Sequence, residues 1–144
     1  MNVIVAIDSA QSAETALKFL KDCKYGPPDH IHLVHVIVPG FADAKVAGIP
    51  DVVAEERSTE QKLLDALSAT IKNNLGAEVT TDILAGDVGS VIADVCRRFD
   101  ADEVIVPSHA RHGFSRLWFG SVADEIVDEA PCTVIVLKMP QTAR

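Results

Sequence analysis

Apolar residues arrive in this chain as short β-branched runs separated by stretches with helical spacing. Residues 2–7, NVIVAI, are a continuous apolar run, the pattern of a strand covered on both faces. Asp8 and Ser9 follow. Ala13, Ala16, Leu17, Leu20 and Cys23 then recur at intervals of three and four, which predicts a helix from Ala10 to Lys24 that YGPPDH breaks. HIHLVHVIV (30–38) reads as a second strand, and 39–50, with Pro and Gly at both ends, as a loop. Leu63, Leu64, Leu67, Ile71 and Leu75 stripe a long helix over 51–75, with Gly76 at its cap. EVTTDIL (78–84) alternates more strictly, as a strand at a sheet edge does. Asp87 can cap the next helix, with Ser90 three residues on; Val88, Val91, Ile92, Val95, Cys96 and Phe99 give that helix its inward face. ADEVIVP (101–107) is a fourth strand. Ser121 reads as the cap of a last helix, 122–129, which Pro131 stops. CTVIVLK (132–138) is a fifth strand, and MPQTAR a short tail.

Strands and helices thus alternate from end to end. That order predicts an α/β fold with a parallel sheet and helices on both faces, reached by right-handed crossovers. No linker, repeat or low-complexity tract interrupts residues 1–144, so the expectation is one domain.

Composition narrows the function classes. The net charge of −8 argues against a general nucleic-acid or anionic-membrane surface. No apolar run reaches the ~18–20 residues that cross a bilayer. MNVIVAIDSA lacks the basic start and cleavage site of a signal peptide. Cys23, Cys96 and Cys132 form no C-x-x-C pair and read as reduced, buried thiols, with Cys96 and Cys132, which sit in apolar runs, inert. These observations together predict a cytoplasmic protein.

Against that acidic background one stretch stands out. SHARHGFSRLWFGS (108–121) holds two arginines and two histidines and no carboxylate. In open α/β sheets, ligands bind beyond the carboxyl ends of the strands where strand order reverses. If the first and fourth strands are neighbours, Asp8 and this loop wall one crevice. Gly113 and Gly120 permit close backbone approach, Arg111 and Arg116 supply cations, and the amides of Ser121 and Val122 open a helix. Two readings stand side by side: an anion cradle, and a solvated loop ending in an ordinary serine cap.

The chain resembles a universal stress protein domain along nearly its whole length. The match runs through VIVAIDSAQSAETAL, LVHV, LAGDVGSVIADVCRRFDADEVIVPS and FGSVADEIVDEAPCTVIVLK, with GSV at 120–122 and APC at 130–132 the most specific parts. The resemblance implies a flavodoxin-like (adenine nucleotide alpha hydrolase-like) three-layer sandwich. Its five parallel strands take the order 3-2-1-4-5, with two helices on each face. It implies a homodimer paired through the last strand, here Thr133, Val134, Ile135, Val136 and Leu137. It also implies, for some members, ATP with magnesium in the crevice. The nucleotide-binding positions would be Ala6 and Ile7 through backbone, Asp8, Val36, Gly120, Ser121 and Val122, with Ser108, Ala110, Arg111 and Gly113 from the loop between.

The chain departs from the family pattern at Pro107 and Ala110, where the first two motif glycines would stand. Proline has no amide to donate and its φ is fixed. Alanine costs ~1 kcal/mol or more if the loop needs a left-handed turn there. The expectation is therefore a regulatory or protective dimeric scaffold that does not depend on ATP. The alternative is a nucleotide-binding stress-response module using Asp8 and the 108–122 loop, with at most slow ATP hydrolysis or autophosphorylation.

Other constellations carry less. His30 and His32 share a strand face and His35 points the other way; a metal needs convergent ligands, so no metal site is expected. His109 and His112 read as exposed loop histidines. Lys138 with Asp8 faintly suggests a response-regulator receiver, but the acidic pair and the phosphorylatable aspartate are missing. There is no phosphate-binding glycine loop of the G-x-x-x-x-G-K type, no paired catalytic carboxylate and no Ser/His/Asp set, so no catalytic residue is assigned. Phe114, Leu117, Trp118 and Phe119 either fold over the sheet edge or form a patch for a protein partner. CTVIVLK is a long apolar edge, and such edges tend to be paired, which gives dimerisation a physical basis of its own.

Overall fold

The computed structural model describes residues 1–38, 50–108 and 120–140, with the side chains of 50–56 and 120–121 outside that description. Five strands are present: β1 (Asn2–Ala6), β2 (His30–Ile37), β3 (Glu78–Ala85), β4 (Glu103–Ser108) and β5 (Thr133–Lys138). Four helices connect them: α1 (Ala10–Asp22), α2 (Pro50–Leu75), α3 (Val88–Arg98) and α4 (Gly120–Glu129). All pairings are parallel, in the order β3-β2-β1-β4-β5. The fold is α/β, as the alternation of elements predicts, and flavodoxin-like with strand order 3-2-1-4-5, as the family resemblance implies.

Period-two alternation sorts the strand residues onto two faces. Val3, Val5, Ile7, Ile31, Leu33 and Ile105 face α1 and α2, where they meet Ala13, Ala16, Leu20, Leu64, Leu67 and Ile71. Ile4, Ala6, Val34, Val36, Val104 and Val106 face α3 and α4, packing on Val88, Ile92, Val95, Cys96, Ala123 and Ile126. Each fully buried Ile or Leu contributes ~1.5–3 kcal/mol relative to exposure, so the two apolar layers outweigh any surface ion pair. The more polar β3 is an edge strand, as its alternation predicts.

Local chemistry sets the boundaries. Ser9 caps α1, accepting from the Ser12 amide, while the Ser12 hydroxyl accepts from the Ser9 amide in return. Asp87 accepts from the Ser90 amide at 3.1 Å and caps α3 as expected. Gly76 has φ of +70° and its amide bonds to the Lys72 carbonyl at 3.0 Å, the left-handed cap that its position after Leu75 predicts.

Three expectations need correction. α1 ends at Asp22 rather than Lys24, because Lys24 takes a left-handed φ of +60°. α4 starts at Gly120, so Ser121 lies in its first turn rather than before it. Cys23 is exposed, not buried, because α1 turns that position outward at its C-cap. Cys96 is buried and Cys132 partly so, and burial pushes the Cys96 thiol up to about 12, consistent with inert thiols at both positions.

Candidate functional site

The β1–β4 ladder runs only from Val3–Glu103 to Val5–Ile105. Past that point the two strands hold different neighbours. The Ile7 amide donates to the Val34 carbonyl of β2 at 2.9 Å. On the other side β4 stays paired with β5 out to Ser108–Lys138, and the Ser108 carbonyl accepts from the Met139 amide at 3.2 Å. The sheet therefore forks at its carboxyl edge, between Ala6–Asp8 and Val106–Ser108. This is the switch point at which α/β sheets take their ligands.

The β1 side of the fork is tightly held. Ala6, Ile7 and Val36 are 2%, 0% and 3% exposed, and both polar backbone atoms of Ile7 are already hydrogen-bonded. The Asp8 amide donates to the Ser12 hydroxyl at 2.9 Å, and the Ser9 hydroxyl donates to Asp8 Oδ1 at 3.1 Å. His35, on β2, points to the α1–α2 face, and its Nδ1–H donates to the Ile7 carbonyl at 2.8 Å. Glu60 of α2 places Oε2 3.7 Å from the same nitrogen. That carboxylate oxygen is buried and has no hydrogen-bond partner among the described residues. Ser12, His35 and Glu60 were not singled out as parts of this site in the sequence. Only Ser12 leaves a local trace, as the second serine of a Ser9-x-x-Ser12 cap.

On the β4 side, Pro107 is buried in the strand and Ser108 is half-buried. Gly120 and Val122 stand in the first turn of α4, whose amino end opens on the same edge because the helix follows β4. Ala110, Arg111, Gly113, Arg116, His109, His112 and the apolar residues Phe114, Leu117, Trp118 and Phe119 lie outside the described residues, as does the side chain of Ser121. On the α3–α4 flank, Glu125 packs over Gly89 so closely that an added Cβ would fall 1.6 Å from its Oε1. The Ser90 amide holds the Asp87 carboxyl below its ordinary range, whereas burial and the Asp87 charge push that of Glu125 up.

At the opposite, amino end of the sheet, His30 and His32 lie on one face as expected, with their rings stacked at 4.2 Å. His32 also packs on Phe99 at 3.9 Å. Burial, and then the neighbouring His30, lower its pKa.

Comparison with known proteins bears on the fork. The model of the Universal stress protein family matches residues 1–138. The chain belongs to the universal stress protein family. The universal stress protein MJ0577 of Methanocaldococcus jannaschii is 24% identical, over 94% of this chain and 93% of its own. The solved MJ0577 structure superposes with a TM-score of 0.80, covering 98% of this chain and 97% of that one, at 19% identity in that alignment. A universal stress protein from Archaeoglobus fulgidus in complex with dAMP superposes at 0.64, with 22% identity and coverage of 96% and 98%. An Arabidopsis thaliana family member with AMP bound superposes at 0.66, with 21% identity and coverage of 97% and 92%. These likenesses show the fold. Among the described residues of this universal stress protein, no helix is long and apolar enough to cross a membrane.

Proposed function

We propose that this universal stress protein is a cytoplasmic, dimeric regulatory protein whose fork takes an adenine nucleoside monophosphate and which does not depend on ATP. The observation that carries the reading is the fork itself. Its β1 side, the nucleoside side by family resemblance, is pre-organised by the Ser12 and His35 hydrogen bonds. Its β4 side carries Pro107 and Ala110 where amides would meet a longer phosphate chain. Two solved relatives were crystallised with the monophosphates dAMP and AMP, which supports the same ligand class here. Asp8 would hold the ribose, the α4 amino end with Ser121 and Val122 the single phosphate, and Arg111 would supply charge.

The test is titration of AMP, and of ATP with magnesium, followed through the sole tryptophan, Trp118, and by calorimetry. AMP binding at least as tightly as ATP, and weakening about tenfold or more in Asp8→Ala, fits the proposal. ATP binding about tenfold tighter than AMP would defeat it.

A second reading is a nucleotide-independent scaffold. Pro107 and Ala110 at the first two motif-glycine positions favour it, while β5, with Val136 42% exposed on an apolar ribbon, supports the dimer common to both readings. Absence of any saturable change with millimolar nucleotide, together with a stable dimer, selects that reading.

A further inference from the structure

Cys96 stands in the last turn of α3, and Cys132 immediately before β5. Backbone contacts bring both to one end of one layer. The Ala101 amide donates to the Cys96 carbonyl at 2.9 Å, which turns the chain from α3 toward β4. β4 pairs with β5 from Glu103–Thr133 onward, and that register sets Cys132 beside Asp102. From the other side, Arg97 donates to the Glu129 carbonyl at 3.2 Å and ties the end of α3 to the end of α4. Cys132 lies two places before Val134, so it shares the sheet face that packs on α3 and α4. Cys96 points into that same layer from the helix. The two thiols meet there in hydrogen-bond contact, and both are free. They differ in access, since Cys96 is 0% exposed and Cys132 only half-buried.

We propose that Cys96 and Cys132 are a site of reversible oxidation, closed into a disulfide by a peroxide and reopened by a thiol reductant. Neither thiol is a ready nucleophile by itself, because burial raises the pKa of both. The thiolate fraction at neutral pH is therefore small, and the pair closes slowly, under sustained oxidant. Access sets the order of events. The Cys132 thiolate attacks one peroxide oxygen, the O–O bond breaks, and Cys132 becomes a sulfenic acid as one water leaves. The Cys96 sulfur then gives up its proton and attacks the Cys132 sulfur. The S–O bond breaks, the departing hydroxide takes that proton as a second water, and the S–S bond forms. Two thiols lose two electrons, and one peroxide is reduced to two waters. With Cys96 in contact, the sulfenic acid meets a thiol before a second peroxide, which diverts it from irreversible sulfinic acid. The bond would close the segment from Cys96 to Cys132, which carries β4, α4 and the connection between them, the whole β4 side of the fork. Cys23 takes no part, because it sits at the exposed end of α1 on the opposite face of the sheet.

Trypsin separates the three cysteines into peptides 22–24, 73–97 and 117–138. The reduced full chain is treated with hydrogen peroxide, its remaining thiols are blocked with N-ethylmaleimide in denaturant, and the peptides are mapped by mass spectrometry without reductant. Peptide 73–97 joined to 117–138, and released by dithiothreitol, supports the site. Cys96 fully alkylated, with Cys132 unreacted, recovered as sulfinic acid or joined to Cys132 of a second copy, overturns it. This mapping is made on the unsubstituted chain, so it decides the matter even if a cysteine variant fails to fold. Dimedone, which traps sulfenic acid, should label Cys132 in Cys96→Ala and scarcely in the wild type. Equal labelling of the two would overturn the role given to Cys96. Cys23→Ser should form the same link as the wild type, and its loss there would overturn the pairing.

Discussion

The Nδ1 of His35 lies 2.8 Å from the carbonyl oxygen of Ile7, so an imidazole on β2 holds the peptide between Ile7 and Asp8, just past β1. His35 is 8% exposed and Ile7 wholly buried, and water cannot replace the donor. Removing it leaves a buried carbonyl unpaired, at a cost of ~1–3 kcal/mol. His35→Ala should lower the urea midpoint accordingly. It should also weaken nucleotide binding if the fork is the site, whereas Asp8→Ala should weaken binding with a smaller effect on stability. An unchanged midpoint in His35→Ala would show that the hydrogen bond contributes nothing net.

Tyr25, the only tyrosine, donates its hydroxyl to Glu103 Oε1 at 2.6 Å and so ties the end of α1 to β4. Burial first, and then the Glu103 carboxylate, raise its pKa well above the ordinary value of 10.0. A raised folded pKa means that the neutral phenol stabilises the fold. That contribution is fully present below pH ~10 and is lost as pH climbs toward the folded value. Phenolate absorbance should therefore appear late, together with unfolding. Tyr25→Phe should flatten the alkaline fall in stability. Phenolate absorbance half-developed near pH ~10 in the folded protein would contradict the assignment.

Two glycines should respond oppositely to alanine. Gly76 has φ of +70°, where a Cβ is strained whatever the space around it. Gly76→Ala should cost ~1 kcal/mol or more. Gly89 has an ordinary helical backbone, and its new Cβ would meet only the Glu125 side chain, which can swing aside. Removing glycine from a helix gains ~0.8–1.0 kcal/mol, so Gly89→Ala should come out near neutral in chemical denaturation. Both variants losing more than ~2 kcal/mol would refute this ranking.

If β5 pairs with a second copy, a charge at Val136 should separate the partners without unfolding them. Val136 is already 42% exposed in a single chain, so a carboxylate there costs the isolated fold little. Val136→Asp should run as a monomer by light scattering with an unaltered circular dichroism spectrum. A variant that stays dimeric would place the interface elsewhere.

Much of the fold was legible in the residues because its signals are local. The β-branched run of Asn2–Ile7, the stripe through Leu64, Leu67 and Ile71, and the caps at Asp87 and Gly76 each depend on neighbours within a turn or two. The misses were local too, and small. Nothing in the spacing of α1 marks Lys24 as left-handed. The two-residue shift at the start of α4 moves Ser121 from cap to first turn.

The candidate site was legible only in outline. Asp8 and the loop that follows β4 could be assigned to one crevice once β1 and β4 were taken as neighbours, and the ladder from Val3–Glu103 to Val5–Ile105 makes them so. His35 and Glu60 could not be placed there in advance, since their partners belong to other elements; Ser12 left a local trace, because its partners Asp8 and Ser9 lie within four residues.

Sequence alone determined the alternation of strands and helices and which side chains face inward, because periods of 2 and 3.6 are written along the chain itself. Tertiary structure decided the fork beyond Ile105, the His35–Ile7 contact, the Tyr25–Glu103 tie and the convergence of His30 and His32 on Thr80. Each depends on how elements far apart in the chain are brought together, most of them on the register between strands. A slip of one residue would turn the strand side chains His30, His32, His35 and Glu103 to the other face of the sheet.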